Sequence, residues 1–382
     1  MPFSTEARPR RRTRSCILHS PGWNRTARAW LEKLIQKGAG KGLPVVFDFD
    51  NTLICGDVSE ATLAVLTNSG KLVSEGIPET LSPPFRARNQ PRRTLGSSVD
   101  LTAYYQAFLA PSVHGAADPS PAANGYVWAV EVMVGLTPQD VVEATRAAYQ
   151  LSRPVHPAYI EVTPGQTAYP VPFFYPEMVE LVAQLLRHRF DLWIVSAGNV
   201  WSIRWMIAHA LNPMLRQFEI TEGIRPDHII GVTTLLADAD DCLHKDTVLV
   251  RENAPYARLE ESALRAFRLT SRLEFPVPVY AGKVACLLDA LPRAPYLCVG
   301  DAPGDHRMLA YSENRLWIAR LDKTDFYKKT LSLIRSTGPD HWMTQATQTS
   351  APAGFIPQLM SSARTAQPNA EIRGSKAELR KS

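Results

Sequence analysis

Residues 44–53 read PVVFDFDNTL, and the reading of this stretch decides the fold. Val45, Val46 and Phe47 form a short continuous apolar run, the pattern of a parallel strand buried on both faces. The run ends in two carboxylates, Asp48 and Asp50, with Thr52 two residues further on. At an extended strand end, side chains two positions apart point the same way. Two such carboxylates repel one another unless a positive group neutralises them. A hard divalent cation does this, and Mg2+ prefers carboxylate, carbonyl and water oxygens.

Similar units recur on either side. Upstream, Trp30, Leu31, Leu34 and Ile35 fall at helical spacing within residues 23–36, and a Gly-rich stretch stops them. Downstream of Pro176, helical spacing of Met178, Leu181, Val182, Leu185 and Leu186 leads into an apolar strand at residues 192–195 that ends in SAGN. A third strand at 296–299 runs into GDAPGD, and a fourth covers 316–319. Short strands alternating with helices predict an α/β fold, a doubly wound Rossmann-like parallel sheet that binds its ligands at the carboxyl ends of the strands. The polar motifs follow the strands at those ends.

The stretch between differs in character. Residues 56–171 hold many prolines, a basic patch (Arg86, Arg88, Arg92, Arg93), several aromatics and a helix that Thr137 can cap. They read as an inserted, mainly helical cap. A smaller insertion runs over about 212–279 and includes a strand at 228–233. The expected organisation is a basic disordered arm at 1–20, a core at 21–55 and 172–340, the cap at 56–171, and a disordered polar tail at 341–382.

With 382 residues, 45% hydrophobic and 21% charged, the chain has the composition of a soluble globular protein with a sizeable core. The net charge of +5 is concentrated in Arg8, Arg10, Arg11, Arg12 and Arg14 near one end and Arg373, Lys376, Arg380 and Lys381 near the other. Such charge is poor support for nucleic-acid binding, and no basic stripe interleaved with aromatics accompanies it. No apolar run approaches the ~20 residues that span a bilayer. The five cysteines are odd in number and show no CxxC pairing, which fits a reducing compartment. The Arg-rich start lacks the apolar region of a secretory signal, so a cytoplasmic enzyme is the expectation, with an organelle-targeting segment as the alternative.

Lys283 can supply the fixed positive charge an anionic substrate needs, and Ser196 and Thr52 offer hydroxyl donors. Taken singly these features are ordinary: a DxD pair is a common strand end, and GDAPGD a common turn. Together they are the parts for phosphoryl transfer: a carboxylate nucleophile, an acid–base partner, a metal and a neutralising lysine.

In this order the residues resemble the four motifs of the haloacid dehalogenase superfamily of phosphatases, over roughly residues 41–66 and 172–330. DFDNT resembles its DxDxT motif, which implies that Asp48 is the nucleophile and Asp50 the general acid/base, with Thr52 supporting the acid/base loop. Ser196 in WIVSAGN matches the second motif, whose hydroxyl holds the transferring phosphoryl group. Lys283 in YAGKVACL matches the third. Asp301 and Asp305 in GDAPGD match the fourth, which implies that they hold Mg2+ with Asp48 and the backbone carbonyl of Asp50. An aspartate at position 50 favours phosphoester hydrolysis over dehalogenation, because it can protonate the leaving alcohol and then activate water.

The long insertion directly after the first motif resembles the C1-capped branch, which includes the phosphoserine phosphatases. The segments PEMVELVAQLL, IIGVTTLL and SENRLWIAR are similar to those of bacterial phosphorylcholine phosphatases. Asp57 and Glu60 share a helix face and either meet a cationic substrate head or simply favour the helix start. Tyr104, Tyr105, Tyr126 and Trp128, with Glu131 nearby, either enclose a quaternary ammonium or pack the cap's own core. The expected partner is a small cationic or zwitterionic phosphorylated metabolite, such as phosphorylcholine, phosphoethanolamine or phosphoserine; neither nucleic acid nor membrane is expected. A phosphotransferase on the same aspartyl-phosphate is the alternative activity, and nucleic-acid binding through the basic arms a more remote one.

Overall fold

In a computed structural model that describes residues 17–72, 86–87, 90–94, 125–163, 165, 167–338 and 341–357, the apolar runs pair into one seven-stranded sheet. Its strands are β1 (Pro44–Phe47), β2 (Asp191–Asn199), β3 (Ile229–Val232), β4 (Leu297–Gly300), β5 (Asn314–Arg320), β6 (Trp342–Gln348) and β7 (Gly354–Phe355). They lie in the order β7-β6-β5-β4-β1-β2-β3, with β7 alone antiparallel to its neighbour. Phe47 faces Ile194 of β2 on one side and Val299 of β4 on the other. The order reverses between β1 and β4, and such a reversal opens a crevice at the carboxyl ends of the two strands.

Helices cover both faces. α1 (Arg25–Gly38) precedes β1 and starts at Asn24, whose side chain accepts from the N–H groups of Thr26 and Ala27. α2 (Val58–Asn68), α3 (Gly125–Glu131) and α4 (Pro138–Gln150) fall between β1 and β2, and α5 (Pro176–Arg187) leads into β2. α6 (Val200–Met206) follows β2, α7 (Ala281–Ala290) precedes β4, α8 (His306–Tyr311) precedes β5, and α9 (Thr324–Thr337) precedes β6. Side chains alternate along β1, so Val45 and Phe47 pack with Leu31, Leu181 and Val182, while Val46 packs with Leu287, Met308, Trp317 and Ile334. Each such side chain, fully buried, contributes roughly 1.5–3 kcal/mol. No described helix is long and apolar enough to cross a membrane.

The inserted stretch leaves and rejoins the core through a short antiparallel pair, Ile54–Cys55 with Phe173–Phe174. Its described part is not wholly helical: hairpins pair Tyr159–Thr163 with Thr167–Pro170 and Arg86–Ala87 with Gln90–Thr94. α4 begins at Thr137 with a reciprocal capping box to Asp140, as its sequence predicts. The hydroxyls of Thr62, Thr145 and Ser202 meet at 2.6–3.1 Å and join α2, α4 and α6. Residues 73–85, 88–89 and 95–124 lie outside the described residues.

Two expectations about the ends need correction. Of the arm expected to be disordered, residues 1–16 lie outside the described residues, but 17–20 are packed: Leu18 is fully buried, and the N–H groups of Ile17 and Leu18 donate to Glu32. The tail expected to be disordered from 341 instead supplies β6 and β7. Trp342 and Met343 are buried there, and the buried amide of Gln345 accepts from Asn24 N–H at 2.7 Å and donates to the Gly22, Ala346 and Ile356 carbonyls. A buried amide can belong to a core when its own polar atoms find partners, as those of Gln345 do. Residues 358–382 lie outside the described residues.

Candidate active site

The Asp48 N–H still donates to Val299 O at 2.9 Å, so the sheet ladder carries this residue to the mouth of the β1–β4 crevice. Beyond it the chain turns through Asn51, which adopts a left-handed φ of 56° and closes the loop by accepting from Gly56 N–H at 3.2 Å. Asp48 is buried and divides its two oxygens: Oδ1 accepts from Lys283 Nζ at 2.6 Å and Oδ2 from Thr52 Oγ1 at 3.0 Å. Thr52 therefore supports Asp48, whereas the resemblance assigns it to the acid/base loop.

Lys283 lies in the first turn of α7, and its Nζ bridges Asp48 Oδ1 and Asp305 Oδ1 at 2.6 Å each. The turn fits there because Gly282 has no Cβ; one would overlap the Val277 carbonyl. Asp305 Oδ2 accepts from the N–H groups of Asp301 and Ala302 at 3.0 Å, which fixes the turn after β4. Asp301 Oδ2 lies 2.7 Å from Arg320 Nε, and the Asp301 carbonyl accepts from Trp317 Nε1 at 2.9 Å.

Asp50 faces a different environment. Its Oδ1 accepts from Val58 N–H at 2.7 Å, and Ser196 Oγ stands 3.5 Å from Oδ2. Ser196 sits within β2, and its hydroxyl also accepts from Gly198 N–H at 3.1 Å. Gly198 is the small residue of SAGN for a reason: a Cβ there would stand 2.8 Å from both Asp50 Oδ2 and Ser59 Oγ.

Burial dominates the electrostatics. It pushes the Asp48 carboxyl up to about 6, with Asp305 adding to the rise and Lys283 opposing it. Asp50 is held well above the ordinary carboxylate range by burial and then by Asp57. Burial pushes Asp301 up to about 8 against the pull of Arg320. Burial alone would lower Lys283, yet Asp305 and Asp48 hold it above its usual value.

Carboxylate oxygens of Asp48, Asp301 and Asp305 lie within 4.8 Å of one another, all three residues buried. This hard, all-oxygen donor set suits Mg2+. Asp301 Oδ2 fits as well, being buried without an aligned hydrogen bond. The Asp50 side chain is turned to Val58 and Ser196, so only its backbone carbonyl is left for a metal.

A cavity of about 60 Å³ opens over these groups, walled further out by Asp57, Tyr126, Arg320, Phe326 and Lys329. Of the residues expected to choose the substrate, Asp57 and Tyr126 reach it. Asp57 also caps α2, accepting from Glu60 N–H at 2.9 Å. Glu60 and Glu131 are half-buried and do not line the cavity. Trp128 is buried in the hydrophobic core, the packing alternative. Tyr104 and Tyr105 lie outside the described residues. Arg320, Phe326 and Lys329 escaped the sequence reading. The available signal was a lone arginine closing the apolar strand LWIAR.

The fold and site define an α/β protein of the doubly wound kind with a carboxylate-lined crevice at its switch point. No family model and no curated protein matches the chain. Among solved structures it is similar to a conserved, functionally unknown protein from Anaerococcus prevotii DSM 20548, at 16% identity and a TM-score of 0.58, over 90% of this chain and 98% of that one. That likeness supports the fold. Further matches include a HAD family hydrolase from Salmonella enterica subsp. enterica serovar Typhi (12% identity, TM-score 0.39, covering 82% of this chain and 77% of that one) and a substrate-bound phosphoserine phosphatase (12%, TM-score 0.33, 75% and 90%).

Proposed function

We propose that the chain is a Mg2+-dependent phosphomonoesterase of the haloacid dehalogenase type that works through an aspartyl-phosphate on Asp48. The observation that carries this reading is the Lys283 ammonium, 2.6 Å from both Asp48 and Asp305. It aims a buried cation at the nucleophile and leaves Asp50 outside the pair. Bound at Asp48, Asp301 and Asp305, Mg2+ would neutralise charge on the phosphoryl oxygens.

An Asp48 oxygen attacks phosphorus as the bond to the leaving oxygen breaks, and Asp50 gives its proton to the departing alcohol. Burial and Asp57 raise the Asp50 carboxyl well above the ordinary range, which favours its carrying that proton. Asp50 then takes a proton from water, whose oxygen displaces Asp48 and frees inorganic phosphate. Ser196 holds a phosphoryl oxygen in place. Residues 56–171 act as a C1-type cap that closes over the substrate and excludes bulk water.

The substrate class proposed is a small phosphorylated metabolite with a cationic or zwitterionic head, in keeping with the resemblance to the phosphoserine and phosphorylcholine phosphatases. Asp57 and Tyr126 in the cavity wall support a cationic head. Release of phosphate from an aryl phosphate in Mg2+, compared between wild type and Asp48→Asn, tests the activity. Retained turnover in that variant would sink the nucleophile assignment. A panel of phosphorylcholine, phosphoethanolamine, phosphoserine and sugar phosphates tests the class, and a wide lead for sugar phosphates would refute it.

A further inference from the structure

Arg320 ends β5 with its side chain nine-tenths buried, its guanidinium carbon 5.0 Å from the centre of the Phe326 ring and its Nε 2.7 Å from Asp301 Oδ2. Neither that nitrogen nor that oxygen makes an aligned hydrogen bond, so charge alone joins the two side chains. The other carboxylates of the cluster are held differently. Asp48 is shared between Lys283 and the Thr52 hydroxyl, and Asp305 between Lys283 and two backbone N–H groups. Among the described residues, Asp301 is the member of the cluster whose side chain is paired with a guanidinium and not with Lys283.

We infer that Arg320 is a built-in counter-cation of the metal site: it holds Asp301 while no metal is bound, competes with a divalent ion for that carboxylate, and so sets the affinity of the site. The geometry supplies each part. Three buried carboxylates face two cations, and Lys283 is tied to two of them. An incoming dication therefore gains most by taking Asp301, and there it displaces or opposes the guanidinium. The Phe326 face already lies under the guanidinium and can retain it when Asp301 is taken, since a cation over an aromatic ring is attracted to it. Arg320 is a positioning residue, acting on the metal through Asp301. The inference rests on the metal assignment in the proposed function and on none of its catalytic steps.

The test is calorimetric titration of the full chain with Mn2+ and with Mg2+, without substrate, for wild type, Arg320→Met and Arg320→Lys. Removing a unit charge this close to a dication in a buried site should tighten binding by at least about tenfold in Arg320→Met. Arg320→Lys, which keeps the charge, should stay near wild type. In parallel, the metal-free Tm of Arg320→Met should fall, and saturating Mn2+ should raise it by more than it raises wild type. Should Arg320→Met fail to fold by circular dichroism, Arg320→Gln carries the same comparison. Equal or weaker metal binding in a folded, charge-neutral variant would overturn the inference, as would the absence of saturable binding in all the proteins. The phosphatase reading fails separately, as missing phosphate release from a protein whose metal affinity still responds to Arg320.

Discussion

Asp50 Oδ1 accepts a hydrogen bond from the Val58 N–H at 2.7 Å, so the second carboxylate of FDFDNT is tied to the first turn of α2 while Asp48, two residues earlier, is tied to Lys283. One carboxyl has a cation for a partner, and the other has a neutral donor with Asp57 close by. Their environments separate them, Asp48 rising to about 6 and Asp50 well above the usual range. Two carboxyls set apart in this way can take different roles, an ionised nucleophile beside a protonated acid.

Replacing Asp50 with asparagine keeps the size and removes the proton. Turnover of an alkyl phosphate, whose leaving alkoxide needs protonation, should fall by about 10²–10⁴. A nitrophenyl phosphate, whose leaving group needs little help, should lose far less. Equal losses on the two substrates would argue against a proton-donating role.

Lys283→Met should destabilise the protein by about 3–5 kcal/mol, because Asp48 and Asp305 would remain buried without their shared counter-charge. Urea melts measure this. Added Mg2+ should recover part of the loss, and a variant as stable as wild type without metal would contradict the charge argument.

Another buried ion pair lies away from the cavity. Arg204 binds Asp246 through two contacts of 2.8 and 2.7 Å, and Tyr256 OH donates to the same carboxylate at 2.6 Å. Asp246→Leu alone should cost about 3–5 kcal/mol by stranding the guanidinium. Adding Arg204→Met should restore much of that. Costs that simply add in the double variant would show that the two charges are not coupled.

Glu131 gives the pH prediction. Burial raises its carboxyl from 4.5 to about 7, so between those values the folded state binds more protons than the unfolded one. Stability from this group is therefore fully present below the lower value and declines as pH rises through the higher one. Glu131→Gln should remove the decline. The readout is the difference in Tm between variant and wild type across that window, and a flat difference would contradict it.

The core strands were legible because each is a run of apolar residues wherever both faces of the sheet are covered, as at Val45–Val46–Phe47. The motif residues were legible through their spacing, and the fold does bring Asp48, Asp50, Ser196, Lys283, Asp301 and Asp305 around one cavity. β6 was not, since WMTQATQ carries buried Gln345 and Thr347, and hydropathy counts a buried amide as if it were solvated. The partners that make Gln345 a core residue include Gly22 and Asn24, more than 300 positions away. Arg320 was hidden for a similar reason: its partner Asp301 lies just past the end of the adjoining strand, and nothing in LWIAR reveals that.

The strand that leads into Asp48 lies inside the sheet, with neighbours that begin at Asp191 and Leu297. On a ribosome adding roughly 5–20 residues per second, the wait from Asp48 to Asp305 lasts from about a dozen seconds to nearly a minute. For most of that interval β1 has an open edge on the side that β4 will cover, and its acidic groups wait for Lys283 and then Arg320. The newborn chain is thus both incompletely paired and without its assembled site during the same span. Slow codons or a holding chaperone between the two aspartates would act on yield rather than on rate.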